Sequence, residues 1–295
     1  MSLSSFFQKP EVLDAIPGSS PEEIRELFLE KGEEWFNRNP EDRSLISENL
    51  KSMGLNSDKE MVNAVADHVI LHYYEKILPL SCTPGFFAGF LKEHVEYEEA
   101  VERLRQAVSD GCGILMATSH FGGVEFIAPV LSLASLPVNP VLRFTTEGFS
   151  RKARDKAEAL KASGHFSGIN FVEIGRPGTQ AALEMMAVLR RAEILLSVFD
   201  ENTEYSTEVE LFGRKVYGGA GLDRILKAAS SDVKVFTFFM IRKETNKYQL
   251  ELKEVQPDKE MVQRMFNNLE DVVRKYPEQW YYLHEEIPFV NKEGS

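Results

Sequence analysis

The chain has 295 residues, of which 43% are hydrophobic, and its formal net charge is −12. This apolar content suffices for a sizeable core and excludes an intrinsically disordered chain. A nucleic-acid-binding protein would usually carry the opposite net charge, so we expect no nucleic-acid partner.

The cysteine and apolar patterns indicate the compartment. Cys82 and Cys112 are the only cysteines, which argues against a disulfide framework and favours a reducing environment. The N-terminus lacks a signal-peptide pattern, and no window approaches the ~18 apolar residues of a membrane span. We therefore expect a cytoplasmic protein, whose membrane contact would be peripheral, at the inner membrane.

Residues 1–105 have a helical pattern. Ser20-Pro21-Glu22-Glu23 predicts a helix start, because serine caps, proline fits the first turn and acids suit the positive end. Further helices are predicted over 41–53, 58–77 and 94–109. We expect this region to pack on the rest of the chain within a single domain.

Residues 106–295 alternate short apolar runs with helix-length patterns. This alternation predicts an α/β fold with a mainly parallel sheet flanked by helices. The predicted strands lie near 112–118, 138–143, 170–174, 193–199, 233–241 and 246–253, the last antiparallel to its predecessor. The predicted helices lie near 122–135, 147–163, 178–191, 218–230 and 258–275.

A histidine stands where the first of these strands ends. His120 is followed by Gly122-Gly123 and then by Glu125. Ligands of open α/β sheets bind at the carboxyl ends of the strands, so His120 is a candidate general base. Glu125 could support its imidazole, and the glycines could admit a substrate or another backbone. Backbone N–H groups of the following helix could hold an oxyanion. The alternative is a structural histidine at a capped strand end.

A second acid is predicted at the same edge. The strand near 193–199 ends at Asp200-Glu201, and parallel strands end on the same side of a sheet. Side chains alternate along a strand, so we expect only one of these two acids to face His120.

Several motifs together resemble one enzyme family. His120-Phe121-Gly122-Gly123-Val124-Glu125 is similar to the His-X4-Asp/Glu motif of the lysophospholipid acyltransferase superfamily. The closer likeness is to its lipid A biosynthesis branch of lauroyl and myristoyl transferases. Over roughly residues 40–285 the other matching features follow in order: Glu48-Asn49-Leu50, Arg143, Val198-Phe199-Asp200-Glu201, Leu211-Phe212-Gly213 and Tyr276-Pro277-Glu278-Gln279-Trp280.

The resemblance implies transfer of an acyl group from an acyl carrier protein or acyl-CoA to a hydroxyl or amine. The acceptor would be a small molecule, lipid-like or from secondary metabolism. The implied catalytic residues are His120, supported by Glu125 or by Asp200 or Glu201, with Gly122, Gly123 and Arg143 binding substrate. No cofactor is implied, and His68 and His72 lack the third ligand that a metal site needs.

Three departures from the branch leave alternatives open. Gly123-Val124 replaces Asn-Trp, and His284-Glu285-Glu286 replaces His-Arg. In addition, this sequence does not predict the N-terminal transmembrane helix that the lipid A enzymes have. The alternatives are a thioesterase, in which water is the acceptor, and a non-catalytic member that binds lipid or carrier.

Basic residues supply two further candidates. Arg151, Lys152 and Arg154 make a basic helix in an acidic protein, either a dock for an acidic carrier or a solvated face. Arg176 lies at a strand-to-helix turn, where it could bind a phosphate, although a simple turn is the alternative.

Overall fold

A computed structural model describes residues 2–16, 18–144, 147–175, 180–229, 232–244 and 246–287, without the side chains of 147–149. Seven helices precede the central sheet strand: α1 (Leu3–Phe7), α2 (Pro10–Leu13), α3 (Pro21–Arg38), α4 (Pro40–Ser52), α5 (Lys59–Ser81), α6 (Pro84–His94) and α7 (Glu98–Ser109). Among the described residues, no helix is both long enough and apolar enough to cross a membrane.

The predicted start of α3 is confirmed. The Glu23 N–H donates to Ser20 Oγ, and the Ser20 N–H donates to Glu23 Oε2, so two N–H groups of the helix start are satisfied reciprocally. Further along this helix, Gly32 lets α5 approach closely, since a Cβ there would lie 2.2 Å from an Ile70 methyl carbon. The helical region is thus packed together tightly.

The remaining elements alternate as predicted. The strands are β1 (Val95–Glu96), β2 (Gly113–Thr118), β3 (Val138–Leu142), β4 (Val172–Glu173), β5 (Ile194–Val198), β6 (Thr207–Leu211), β7 (Arg214–Gly218), β8 (Val233–Glu244) and β9 (Lys247–Val255). The helices among them are α8 (Ile127–Leu133), α9 (Glu147–Ala162), α10 (Gln180–Arg190), α11 (Leu222–Ala229) and α12 (Met261–Lys275).

Seven strands form one sheet in the order β1-β9-β8-β2-β5-β3-β4. All neighbours are parallel except β8 and β9, which pair antiparallel. The predicted fold class, an α/β fold with a mainly parallel sheet and an N-terminal helical region, is confirmed. Buried apolar side chains of the N-terminal helices and of the sheet belong to one continuous cluster.

The sequence prediction missed the hairpin β6–β7, the helix α6 and the short strand β1, whose residues fall in the predicted helix 94–109. The hairpin lies apart from the main sheet, and along its two strands only Val209, Leu211, Val216 and Gly218 are buried. Helix α6 occupies residues 84–94, where Thr83 caps it and Pro84 fits its first turn.

Candidate active site

His120 follows the central strand of the sheet. β2 lies between β5 and β8, and its residues from Gly113 to Thr118 are all buried. The pairing with β5 extends past the strand end, because the Phe199 N–H donates to the Thr118 carbonyl at 2.9 Å. Asp200 is therefore carried directly beside His120, although 80 residues separate them.

Asp200 binds His120 through both of its oxygens. Oδ2 accepts the His120 backbone N–H at 2.9 Å, and Oδ1 lies 3.0 Å from Nδ1. The indole Nε1 of Trp280 also donates to Oδ2, at 3.3 Å. The carboxylate side chain is only 1% exposed. A carboxylate that accepts from Nδ1 leaves Nε2 of the neutral ring as the atom that can take a proton.

Glu201 lies on the other side of the same ring. Its Oε1 is 3.6 Å from His120 Nε2, and 43% of its side chain is exposed. The expectation that only one of the two acids faces His120 is therefore wrong: β5 ends at Val198, and beyond it the alternation of a strand no longer applies.

The charges around the imidazole change its acidity. Burial by itself lowers the pKa of His120, but Asp200, then Glu201 and more weakly Glu125 raise it, and the result is a pKa of about 9. At neutral pH the resting ring is thus protonated and held between two carboxylates. A role as base requires that this proton leave first.

Glu125 does not contact His120. Its Oε1 lies 3.7 Å from His72 Nε2 and 3.9 Å from Lys76 Nζ, both on α5. The prediction that Glu125 directly supports the imidazole is therefore corrected, and Asp200 occupies that position. The cause is local: residues Val124–Phe126 form a 3-10 turn ahead of α8, so the predicted helix begins later than residue 122.

The two glycines are buried against the sheet and not open to substrate. The Gly122 N–H donates to the Gln279 carbonyl at 2.9 Å, and the Gly123 N–H donates to the Met240 carbonyl at 2.8 Å. A Cβ at Gly123 would come within 2.8 Å of the Tyr248 ring. Of the two expectations for these glycines, close approach of another backbone is the one observed. Their N–H groups are therefore not available for an oxyanion.

Replacing Gly122 by alanine should lower the free energy of unfolding by about 3 kcal/mol, from backbone strain and a steric clash. The residue has a φ of +56°, and an added Cβ would lie 1.9 Å from the Met240 carbonyl oxygen. Urea denaturation measures the effect. The matched control is Gly89→Ala in α6, where nothing lies within 4 Å of the added carbon and stability should stay equal or rise. Equal stability of Gly122→Ala and the wild type would contradict this close approach.

A buried ion pair lies behind the Gly122 turn. Arg242 on β8 donates to both carboxylate oxygens of Glu75 on α5, at 2.7 and 2.8 Å, and also to the Gly122 carbonyl at 2.8 Å. His68 Nδ1 lies 3.0 Å from the same guanidinium. This network fixes the turn after His120, and sequence reasoning missed it. The sequence offered no local signal for it, because α5 and β8 each contain other charged residues, such as Asp67 and Lys243.

The segment of residues 276–284, called the aromatic segment below, crosses the site. Its Gln279 bonds Gly122, its Trp280 bonds Asp200, and the Tyr281 N–H donates to the His120 carbonyl at 2.9 Å. The Tyr282 ring packs edge-on against the imidazole, with centroids 5.0 Å apart. The aromatic segment therefore holds both members of the His120–Asp200 pair.

A cleft of about 340 Å³ borders this pair. The residues that line it come from the end of β5, the hairpin β6–β7, α12, the aromatic segment and the residues beyond it: Asp200, Glu201, Asn202, Leu211, Val216, Tyr217, Phe266, Trp280, Tyr282, Glu285, Glu286 and Ile287. His120 is not itself among these lining residues. Its ring adjoins the cleft through Asp200, Glu201 and Tyr282, which line the cleft and contact the imidazole.

A comparison with known families supports the part of the site that comes from the C-terminal part of the chain. The family model described as bacterial lipid A biosynthesis acyltransferase matches residues 176–287. The resemblance to the acyltransferase superfamily is confirmed. The match supports acyl transfer to a lipid-like acceptor. The matched residues include Asp200, the hairpin and the aromatic segment, whereas His120 lies before them in the chain. A search of curated proteins found no match.

Arg143, a basic residue expected of such an acyltransferase, lies farther from His120. Arg143 follows β3, two strands from β2 and thus about 10 Å away along the same edge. It is exposed, and its side chain packs on Gly175. Arg176 lies outside the described residues.

The basic helix α9 begins at the same edge of the sheet. Arg151, Lys152 and Arg154 are exposed. Arg154 donates to Glu173 Oε2 at 3.0 Å and lies over the rings of Phe144 and Phe171. Arg154 is therefore partly engaged within the protein, so that Arg151 and Lys152 are the better candidates for contact with a partner.

Proposed function

We propose that the protein transfers an acyl group from a thioester donor, on an acyl carrier protein or CoA, to a hydroxyl or amine of a lipid-like or secondary-metabolite acceptor. The observation that carries the proposal is the His120–Asp200 pair, with Nδ1 bound to a buried carboxylate and Nε2 beside the cleft. The family match supports the reaction class.

In the proposed mechanism His120 is the general base. Nε2 takes the proton of the acceptor's hydroxyl or amine while the oxygen or nitrogen attacks the thioester carbonyl carbon. The carbon–sulfur bond then breaks, and the departing thiolate takes the proton from Nε2, which leaves an ester or amide and a free thiol. Asp200 keeps Nδ1 protonated and stabilises the imidazolium during the reaction.

Other residues have supporting parts in the proposal. Glu201 acts on Nε2 by its charge, and Glu125 acts as a more distant charge. Arg143 would meet the phosphate of the donor's arm, at the edge from which α9 also starts, and Arg176 is proposed for the same role from its place in the sequence. The proposed location is the cytoplasm, with peripheral contact at the inner membrane.

The test is intact-protein mass spectrometry of acyl carrier proteins incubated with the enzyme, with and without candidate acceptors. Loss of the acyl group from the carrier together with an acylated acceptor supports transfer. A rate of carrier deacylation that does not change when acceptor is added would instead identify a thioesterase. Carriers that stay acylated under all conditions would overturn the proposal.

Reversal of charge on α9 tests the carrier. Arg151→Glu with Lys152→Glu should lower kcat/KM for a carrier-bound donor by about tenfold at low salt, because such charges set the encounter rate. The kcat/KM for a short thioester mimic should stay unchanged. The matched control is Lys59→Glu with Lys227→Glu, exposed cations outside α9. Equal loss for both donors, or no loss, would leave α9 as a solvated face.

A further inference from the structure

The cleft beside His120 combines apolar walls with acidic charge. Leu211, Val216 and Phe266 supply apolar surface, and Tyr217 and Tyr282 add aromatic rings. Four carboxylates also line it, those of Asp200, Glu201, Glu285 and Glu286, whereas no lysine or arginine is among its described lining residues. The concave shape and the neighbouring His120 define the site, and the carboxylates determine which charge it accepts.

Among the described residues, no lysine or arginine forms an ion pair with the three outer carboxylates of the cleft, which belong to Glu201, Glu285 and Glu286. Glu201, Glu285 and Glu286 retain exposure at the cleft, in contrast to Asp200. Glu285 Oε1 lies 3.8 Å from His284 Nε2. Burial lowers the pKa of His284, so this ring is neutral at physiological pH. A phosphate-bearing acceptor would be repelled here, while a cation would be attracted.

We propose that the acceptor carries a protonated amine next to the group that is acylated, as a long-chain amino alcohol does. This inference rests on the proposed function. Nε2 and Glu201 Oε1 are 3.6 Å apart, so a hydroxyl at Nε2 and an ammonium at Glu201 can sit on neighbouring carbon atoms. The apolar walls would hold the hydrocarbon chain of the same molecule.

Such an acceptor would also prepare the base. Among the charges that raise the pKa of His120, the carboxylate of Glu201 is second only to that of Asp200. An ammonium bound at Glu201 cancels this charge. Asp200, Glu125, His72 and Tyr282 still face the ring from the other elements packed around it. With less negative charge at Nε2, the ring loses its proton at a lower pH and can act as base.

The experiment compares three acceptors of equal chain length that all have a free 1-hydroxyl: a 2-amino-1-alcohol, the corresponding 1,2-diol, and the diol's 2-phosphate. Each is incubated with an acyl thioester, and products are quantified by mass spectrometry. We expect kcat/KM for the amino alcohol to exceed that for the diol by about tenfold, with the phosphate used least. Equal or better use of the phosphate would overturn the inference.

A pair of variants shows whether the cleft carboxylates cause the preference. Glu285→Gln with Glu286→Gln should shrink the ratio of kcat/KM between amino alcohol and diol by several-fold. Glu26→Gln with Glu30→Gln removes two exposed carboxylates from α3, outside the cleft, and should keep the ratio. An unchanged ratio in the first pair would count against the cleft as the amine site.

The outcomes separate the inference from the proposed function. Transfer to the diol that depends on His120, without any advantage for the amine, overturns only the inference. An absence of transfer to all three acceptors overturns the proposed function and the inference with it.

Discussion

Replacement of His120 by alanine is expected to lower kcat/KM for acyl transfer by at least ~10²-fold, the usual contribution of a positioned base. In free energy this corresponds to about 2.7 kcal/mol of lost transition-state stabilisation. The described residues that line the cleft include no histidine, lysine or cysteine that could replace Nε2 as the base.

The fold should survive this change. Asp200 keeps two of its donors, the backbone N–H of residue 120 and the indole N–H of Trp280. Single-turnover rates and a thermal melt of the same sample measure both effects. His165→Ala is the matched control, because His165 is exposed beyond α9, and its activity should equal that of the wild type. Wild-type turnover by His120→Ala would refute the proposed mechanism.

Asp200→Asn is expected to lower kcat/KM by at least ~10²-fold with little change in melting temperature, because an amide cannot accept all three donors. If its NH₂ group faces Nδ1, the ring must carry its proton on Nε2 and can no longer act as base. If its oxygen faces Nδ1, the NH₂ group meets the N–H groups of His120 and Trp280 instead. Either arrangement disturbs the pair.

The pH profile gives a second readout of the same variant. A base works in its neutral form, so wild-type kcat/KM should rise with pH up to the His120 pKa of about 9. Loss of the Asp200 charge should move this inflection to lower pH. Glu201→Gln, assayed with an acceptor that lacks an amine, should reduce the rate less, because Glu201 is half exposed and does not fix the tautomer. An Asp200→Asn enzyme with full activity and an unchanged inflection would assign the support of His120 to another group.

The position of Asp200 beside His120 could be predicted from the sequence, whereas the conformation of the residues directly after His120 could not. Asp200 could be placed near His120 because parallel strands β2 and β5 must end at the same edge. Glu125 was misplaced because a one-turn spacing after His120 assumes that the helix starts at once. The buried bonds of Gly122 to Gln279 and of Gly123 to Met240 delay that start, and both partners lie more than 100 residues away.

The remaining surprises also depend on tertiary contacts. The two strands of the hairpin β6–β7 have only four buried positions and therefore lack a strong apolar pattern. The hairpin nevertheless supplies a wall of the cleft. The pairing of Glu75 with Arg242 joins an early helix to a late strand, and no local rule connects the two. Trp280 could be recognised as part of a motif, but its bond to Asp200 required the aromatic segment to cross the sheet edge.

The wide separation of the site residues along the chain has a kinetic consequence. Asp200 follows His120 by 80 residues, and Trp280 follows Asp200 by another 80. The site therefore forms only when two large loops have closed. Closing such loops has an entropic cost that slows the late steps of folding, whereas helices such as α5 need only neighbours. After dilution from denaturant, helical circular dichroism should therefore return first, and acyl transfer should reappear in a later, slower phase.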